Sequence, residues 1–241
     1  MRRPRAIAFF DVDETLIRVQ SLFRFLEYRL WLEGGDVIDY LNTCARLQQL
    51  ASSSAGREAA NRAYYRLYAG ARVADVRAQG AAWFDAELRD PDLFHPEVLA
   101  SLRGHREAGH LVVLVSGSFR ACLEPMAAHL GADEVLCSLP RVSEGRYTGE
   151  VELAMVGSAK RRAATELMAR LGAHPGDCHA YGDHACDLPL LQVVGHPVAV
   201  GRDPNLVAAA DVGEWSRIGG HRRPALVTSP AWFGGGLERS A

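Results

Sequence analysis

The chain has 241 residues, 27 Lys+Arg against 29 Asp+Glu, a formal net charge of −2, and is 48% hydrophobic and 23% charged. These proportions argue for a globular protein with a substantial core and against disorder over most of the chain. Near-neutral charge offers no electrostatic footprint for nucleic acid or an anionic membrane surface, so an anionic ligand has to be held by a local site.

The length suggests one large domain, or one domain carrying a sizeable insertion. Five cysteines (Cys44, Cys122, Cys137, Cys178, Cys186) form no CxxC pair, which argues against a disulfide framework or a thiolate zinc site. The apolar run at 6–10 is too short for a signal peptide, and no stretch approaches a transmembrane helix. The expectation is a soluble cytoplasmic protein.

In chain order, residues 6–10 (AIAFF) read as a buried strand, cut off abruptly by acids. From Ser21 to about Asp90 the pattern is helical. SLFRFLEYRLWLEG, VIDYLNTCARLQQLASSS, EAANRAYYRLYAGA and VRAQGAAWFDAEL predict four helices separated by Ser/Gly signals. Then alternation begins: a helix at 96–108, a strand at 110–115 (HLVVLV), a helix at 119–130, a strand at 134–137 and a hairpin at 141–153. A helix at 158–171, a strand at 178–181, a helix at 188–194 and a strand at 197–200 complete it. Strands alternating with helices imply a Rossmann-like parallel sheet, so the fold class is α/β with an all-helical insertion after the first strand. The expected division is a core of 1–16 and 92–215, a helical cap of 17–91, and a loosely ordered tail of 216–241.

Ligands of open α/β sheets bind beyond the carboxyl ends of the strands. Those ends carry Asp11, Asp13 and Thr15; then Ser116, Gly117 and Ser118; then Gly182, Asp183 and Asp187, with Lys160 near the start of an intervening helix. Crowded carboxylates raise one another's pKa unless a cation neutralises them, and hard oxygen ligands suit Mg²⁺. A metal, an ammonium, a hydroxyl and backbone N–H groups together neutralise a phosphoryl group. An Asp beside them can attack phosphorus, and a second Asp two residues on can serve as acid and base.

FFDVDETLI, VLVSGSF, Lys160 and YGDHACDLPLL resemble the four ordered motifs of the haloacid-dehalogenase-like (HAD) phosphohydrolases. The insertion after the first motif is similar to the C1 cap of that superfamily, and SGSF with GDxxxDLPLL to its phosphoserine-phosphatase-like branch, subfamily IB. The resemblance spans about 6–210. It implies Asp11 as nucleophile and Asp13 as general acid/base. It implies Mg²⁺ on the Asp11 carboxylate, the Asp13 carbonyl and Asp183, with Asp187 orienting that shell. Ser116 and Gly117 would bind phosphate and Lys160 would be the stabilising cation. The implied enzyme is a Mg²⁺-dependent phosphatase acting on a small phosphorylated metabolite. A phosphotransferase or mutase would use the same intermediate. A receiver-type signalling domain lacks both the second Asp and a cap, and a silent binding module would not keep every motif residue.

One position departs from the family. Where phosphoserine phosphatases carry a glutamate that reads the substrate's ammonium, this chain has Gln20, which disfavours phosphoserine. Tyr64, Tyr65 and Tyr68 are expected to pack, and Arg24, Arg29 and Arg46 to lie on solvated faces. The nine histidines, dispersed without HxxxH spacing, are read as structural or surface residues, and His184 and Cys186 receive no role.

Overall fold

The structure is a computed structural model, and it describes residues 6–53 and 56–219. Six parallel strands form the central sheet in the order β3-β2-β1-β6-β7-β8. They are β1 (Ile7–Asp11), β2 (Leu111–Ser116), β3 (Glu134–Cys137), β6 (His179–Gly182), β7 (His196–Val200) and β8 (Ser216–Ile218), while β4 (Leu139–Ser143) and β5 (Arg146–Leu153) form a separate antiparallel hairpin. β1 lies at the centre, paired with β2 on one side and β6 on the other. That position explains its unbroken apolar sequence, because a strand covered on both faces has no face for polar residues.

Alternation along the strands separates two cores. Ala8, Phe10, Val112 and Leu114 face one, which they share with the helical insertion. Ile7, Phe9, Val113 and Val115 face the other, with Met168, Leu190 and Leu206. Helices α1 (Ser21–Leu32), α2 (Val37–Ser52), α3 (Gly56–Arg66) and α4 (Val73–Glu87) follow β1, as expected. Along the rest of the chain come α5 (Pro96–Glu107), α6 (Arg120–Leu130), α7 (Ser158–Leu171), α8 (Leu188–Leu191) and α9 (Pro204–Gly213). Helix α8 is shorter than the sequence suggests, and α9 was not foreseen.

The sheet runs three residues past the expected core boundary at 215. Ser216–Ile218 pairs in parallel with Val198–Val200, so the sheet takes in the first residues assigned to the tail. Three residues carry too little periodicity to be read as a strand, and only the open edge of β7 makes them one. Residues 220–241 lie outside the described residues.

Two contacts anchor the insertion to the core. Helix α4 crosses α6 at Gly80, where an added Cβ would sit 2.0 Å from the Ala121 carbonyl oxygen. Pro125, one turn on inside α6, has no N–H to bond that carbonyl, so the oxygen stays open to the approaching helix. On the other side, hydrogen bonds from Gly70 N to Tyr147 O (2.8 Å) and from Val73 N to Gly145 O (2.9 Å) tie the α3–α4 turn to the hairpin.

Arg24 and Arg29 are not on solvated faces. Arg24 is 11% exposed between Glu27 (3.1 Å) and Glu87 (2.9 Å), and Trp83 Nε1 also donates to Glu87. Arg29 lies 4.3 Å above the Tyr68 ring and pairs with Glu33 at 2.6 Å. Arg46 is exposed and bonds Thr43, as a surface residue would. Tyr64, Tyr65 and Tyr68 pack in the core. Among the described residues no helix is long and apolar enough to cross a membrane.

Candidate active site

Every strand-end residue singled out in the sequence arrives at one rim. The turn after β1 folds back through hydrogen bonds from Leu16 N and Ile17 N to Val12 O, which presents Asp11, Asp13 and Thr15 together. Glu14 in that turn adopts φ 66°. Lys160 enters from the first turn of α7, and Asp183 and Asp187 from the segment after β6. Gly182 is required there, since an added Cβ would meet the Asp187 Cβ at 2.6 Å.

Lys160 Nζ donates to Asp11 Oδ1 at 2.5 Å and to Asp187 Oδ1 at 2.6 Å, all three groups being buried. Thr15 Oγ1 donates to Asp11 Oδ2 at 2.9 Å and lies 3.1 Å from Asp183 Oδ1. One carboxylate oxygen from each of Asp11, Asp183 and Asp187 falls within 4.8 Å of the others. Asp187, expected to orient the shell from behind, therefore reaches the centre itself. The Asp13 carboxylate is turned away from this trio. It accepts from Ser21 N at 2.5 Å and from Ser116 Oγ at 3.1 Å.

Three carboxylates against one ammonium leave the centre with excess negative charge. Burial first, then Asp187, push the Asp11 carboxyl up to about 7, with Lys160 pulling the other way. Burial and the neighbouring Asp11 and Asp187 push Asp183 well above the usual range. Burial raises Asp13 too, opposed by its bonds from Ser21 and Ser116. For Lys160 burial disfavours the charge, but Asp11 and Asp187 outweigh it and hold the ammonium well above its ordinary value. Clustered hard oxygen donors whose charge is not balanced fit a divalent cation such as Mg²⁺.

A cavity of about 630 Å³ opens over these groups, bounded by Asp11, Asp13, Lys160, Asp183, Asp187 and Gly117. Its cap side carries Leu22, Phe23 and Leu47, with Gln20, Arg57 and Asn61 among the polar residues. Ser116 does not reach it; its hydroxyl is buried, donating to Asp13 and accepting from Ser118 N. Asn61 Nδ2 donates to the Gly117 carbonyl at 2.7 Å, and the Tyr65 hydroxyl donates to the same oxygen at 3.0 Å. The insertion therefore grips the Gly117 loop directly. Sequence reading missed Asn61 and Arg57, because helical spacing does not tell which face of a cap will meet a distant loop, and Glu14, because its turn after β1 has no spacing to read. The His184 ring, given no role, caps the Ala185–Asp187 turn by accepting from Cys186 N, while the His184 backbone N–H donates to Asp187 Oδ2 at 3.2 Å.

Gln20 Nε2 donates to Glu14 Oε2 at 2.8 Å. The neutral residue at position 20 thus stands beside a carboxylate that the turn after β1 brings to the same wall.

The protein-family model for haloacid dehalogenase-like hydrolases matches residues 8–192. A Streptomyces azureus protein named for inhibition of morphological differentiation is 33% identical over 248 residues, covering 95% of this chain and 88% of that one. A probable phosphatase of Mycobacterium tuberculosis is 33% identical over 224 residues, covering 88% and 75%. Among solved structures, a substrate-bound phosphoserine phosphatase superposes with a TM-score of 0.65 at 19% identity, over 92% of this chain and 95% of that one. With the motif residues gathered at one rim and these matches over most of its length, the chain belongs to the haloacid dehalogenase-like hydrolases.

Proposed function

We propose that this family member, an enzyme of the phosphatase type, hydrolyses a small phosphomonoester through an aspartyl-phosphate on Asp11, with dependence on Mg²⁺. The observation that carries this reading is the Asp11 carboxylate. It lines the cavity, one oxygen on Lys160 and the other on Thr15, with a second acid two residues away. Asp11 attacks phosphorus as the bond to the leaving oxygen breaks, and Asp13 gives that oxygen its proton. Asp13 then takes a proton from the water that cleaves the acyl phosphate, freeing inorganic phosphate and restoring Asp11. Lys160 offsets charge on the phosphoryl oxygens, as does the Gly117 backbone. Ser116 would join them only by releasing the bond its hydroxyl makes here to Asp13.

Asp11, the backbone carbonyl of Asp13, and Asp183 would hold Mg²⁺, with Asp187 orienting them. When bound, the ion supplies further neutralisation of phosphoryl charge. Residues 17–91 serve as the cap over a core of 1–16 and 92–215 that β8 extends, and the grip of Asn61 and Tyr65 on Gly117 supports closure of that cap on the phosphate loop. The apolar wall of Leu22, Phe23 and Leu47 favours a leaving group with a non-polar portion. Gln20 in place of a glutamate argues against phosphoserine. The unpaired thiols among all five cysteines favour the cytoplasm.

The test is release of inorganic phosphate from p-nitrophenyl phosphate with and without Mg²⁺, in wild type and in Asp11→Asn and Asp13→Ala. Turnover that needs Mg²⁺, vanishes in the first variant and slows in the second supports the reading. Full activity in Asp11→Asn overturns it. Adding an acceptor alcohol distinguishes hydrolysis, where phosphate yield is unchanged, from a transferase, where a new ester appears instead.

A further inference from the structure

The edge of the sheet opposite the active site gathers imidazoles. His179 and His196 open β6 and β7 and face each other in register, their rings stacked at 4.5 Å. His110 immediately precedes β2, and His105 comes from the last turn of α5. Because these strands are parallel, their starts lie at the far edge from Asp11, Ser116 and Asp183. His105 Nδ1 and His110 Nδ1 are 2.9 Å apart. One ring nitrogen each from His105, His110 and His179 lies within 4.8 Å of the others.

We propose that His105, His110 and His179 form a second metal site, for a divalent transition ion of the zinc type, independent of the acidic centre. The donor set is the first reason. Imidazole nitrogens suit Zn²⁺, Ni²⁺, Cu²⁺ or Co²⁺, whereas Mg²⁺ takes oxygen. Spacing is the second: Zn–N bonds of about 2.0–2.1 Å in a tetrahedron place ligand nitrogens about 3.3 Å apart. The His105 and His110 nitrogens at 2.9 Å lie near that value, the His179 nitrogen is within 4.8 Å of both, and part-exposed rings adjust by rotation. Protonation state is the third. Burial and the neighbouring imidazoles push both His105 and His179 down to about 4, so these two rings are neutral near pH 7 and keep the lone pairs a metal needs. No carboxylate pairs with His105, His110, His179 or His196 among the described residues.

Orientation is the fourth. With Nδ1 on the metal, His105 donates its Nε2 proton to the Tyr181 hydroxyl, which lies 2.9 Å away. Tyr181 is itself fixed by stacking on Phe10, with ring centroids 4.4 Å apart. A ligating histidine whose other N–H is held in this way is the usual arrangement at protein metal sites. The ion would clamp the end of α5 to the starts of β2 and β6.

The experiment uses untagged full-length protein with Mg²⁺ in excess to occupy the acidic centre. Calorimetric titration with Zn²⁺ and the visible spectrum on titration with Co²⁺ are recorded for wild type, His105→Gln, His179→Gln and Asp183→Asn. The expected result is one equivalent of Zn²⁺ bound by wild type and by Asp183→Asn, weakened about tenfold or more in each histidine variant. Ring-nitrogen NMR signals of the histidines in wild type should shift with Zn²⁺, which tests the site without relying on a variant's folding. No uptake by wild type, uptake unchanged in His179→Gln, or uptake lost in Asp183→Asn instead would overturn the proposal.

Discussion

Replacing Asp11 with Asn should abolish catalysis while leaving the metal-free protein as stable as wild type or more so. Asp11 sits within 4.8 Å of both Asp183 and Asp187 oxygens. At an effective dielectric near 20, each such pair repels by at least about 3.5 kcal/mol. The contact to Lys160 at 2.5 Å attracts by about 6.6 kcal/mol on the same scale, so the pairwise terms leave no net attraction. Burial then decides the sign. It is the largest contributor to the carboxyl's rise from 3.8 to about 7, a penalty on the charged form of up to about 4 kcal/mol above that range.

An acid whose folded pKa is raised loses stability as pH climbs from its unfolded to its folded value, so the penalty is fully present at pH ~8. Asn removes it. Thermal unfolding in EDTA at pH ~8 should show the variant melting at least about 2 °C higher, at about 2–4 °C per kcal/mol for a chain of this size. Mg²⁺ at a hundred times its Kd should stabilise wild type by about 2.7 kcal/mol and the variant by less. A metal-free variant that melts below wild type, or one that still hydrolyses p-nitrophenyl phosphate, refutes the reasoning.

Gly80→Val should destabilise the protein by at least about 1–3 kcal/mol, since α4 must move off the Ala121 carbonyl; urea unfolding checks this, and an unchanged midpoint contradicts it. In metal-free protein, His105 and His179 titrate near 4 in the fold against 6.5 when free, so their contribution is constant above pH 6.5 and stability falls as pH drops toward 4. A His105→Gln/His179→Gln double variant should show a shallower fall in melting temperature across that window, and an identical slope would count against it. Phosphoserine should give a kcat/KM about tenfold or more below that of phenyl phosphate, because Gln20 offers no charge to its ammonium; equal rates would reject the argument.

Much of the site was legible because its residues are strand-end residues. The runs AIAFF and HLVVLV end in Asp11 and Ser116, and parallel strands bring such ends to one edge whatever the loops between them do. The four-helix insertion was legible through its apolar spacing and Gly/Ser breaks. Some partners were not. Arg24 and Arg29 look like surface charges in a helical repeat, yet they pair with Glu87 and stack on Tyr68, in other helices.

The sequence by itself thus determined the α/β class, the order of elements as far as β7, and the acids, hydroxyl and lysine at the rim, since local periodicity and chain order carry that information. The tertiary structure alone decided which partners those groups meet. It put Asp187 on Lys160, turned Ser116 toward Asp13, closed Asn61 onto Gly117, and drew histidines separated by up to 74 positions within 4.8 Å of one another. Such contacts depend on helix orientation and strand register, which are settled by packing across the whole core and leave no periodic trace in the chain.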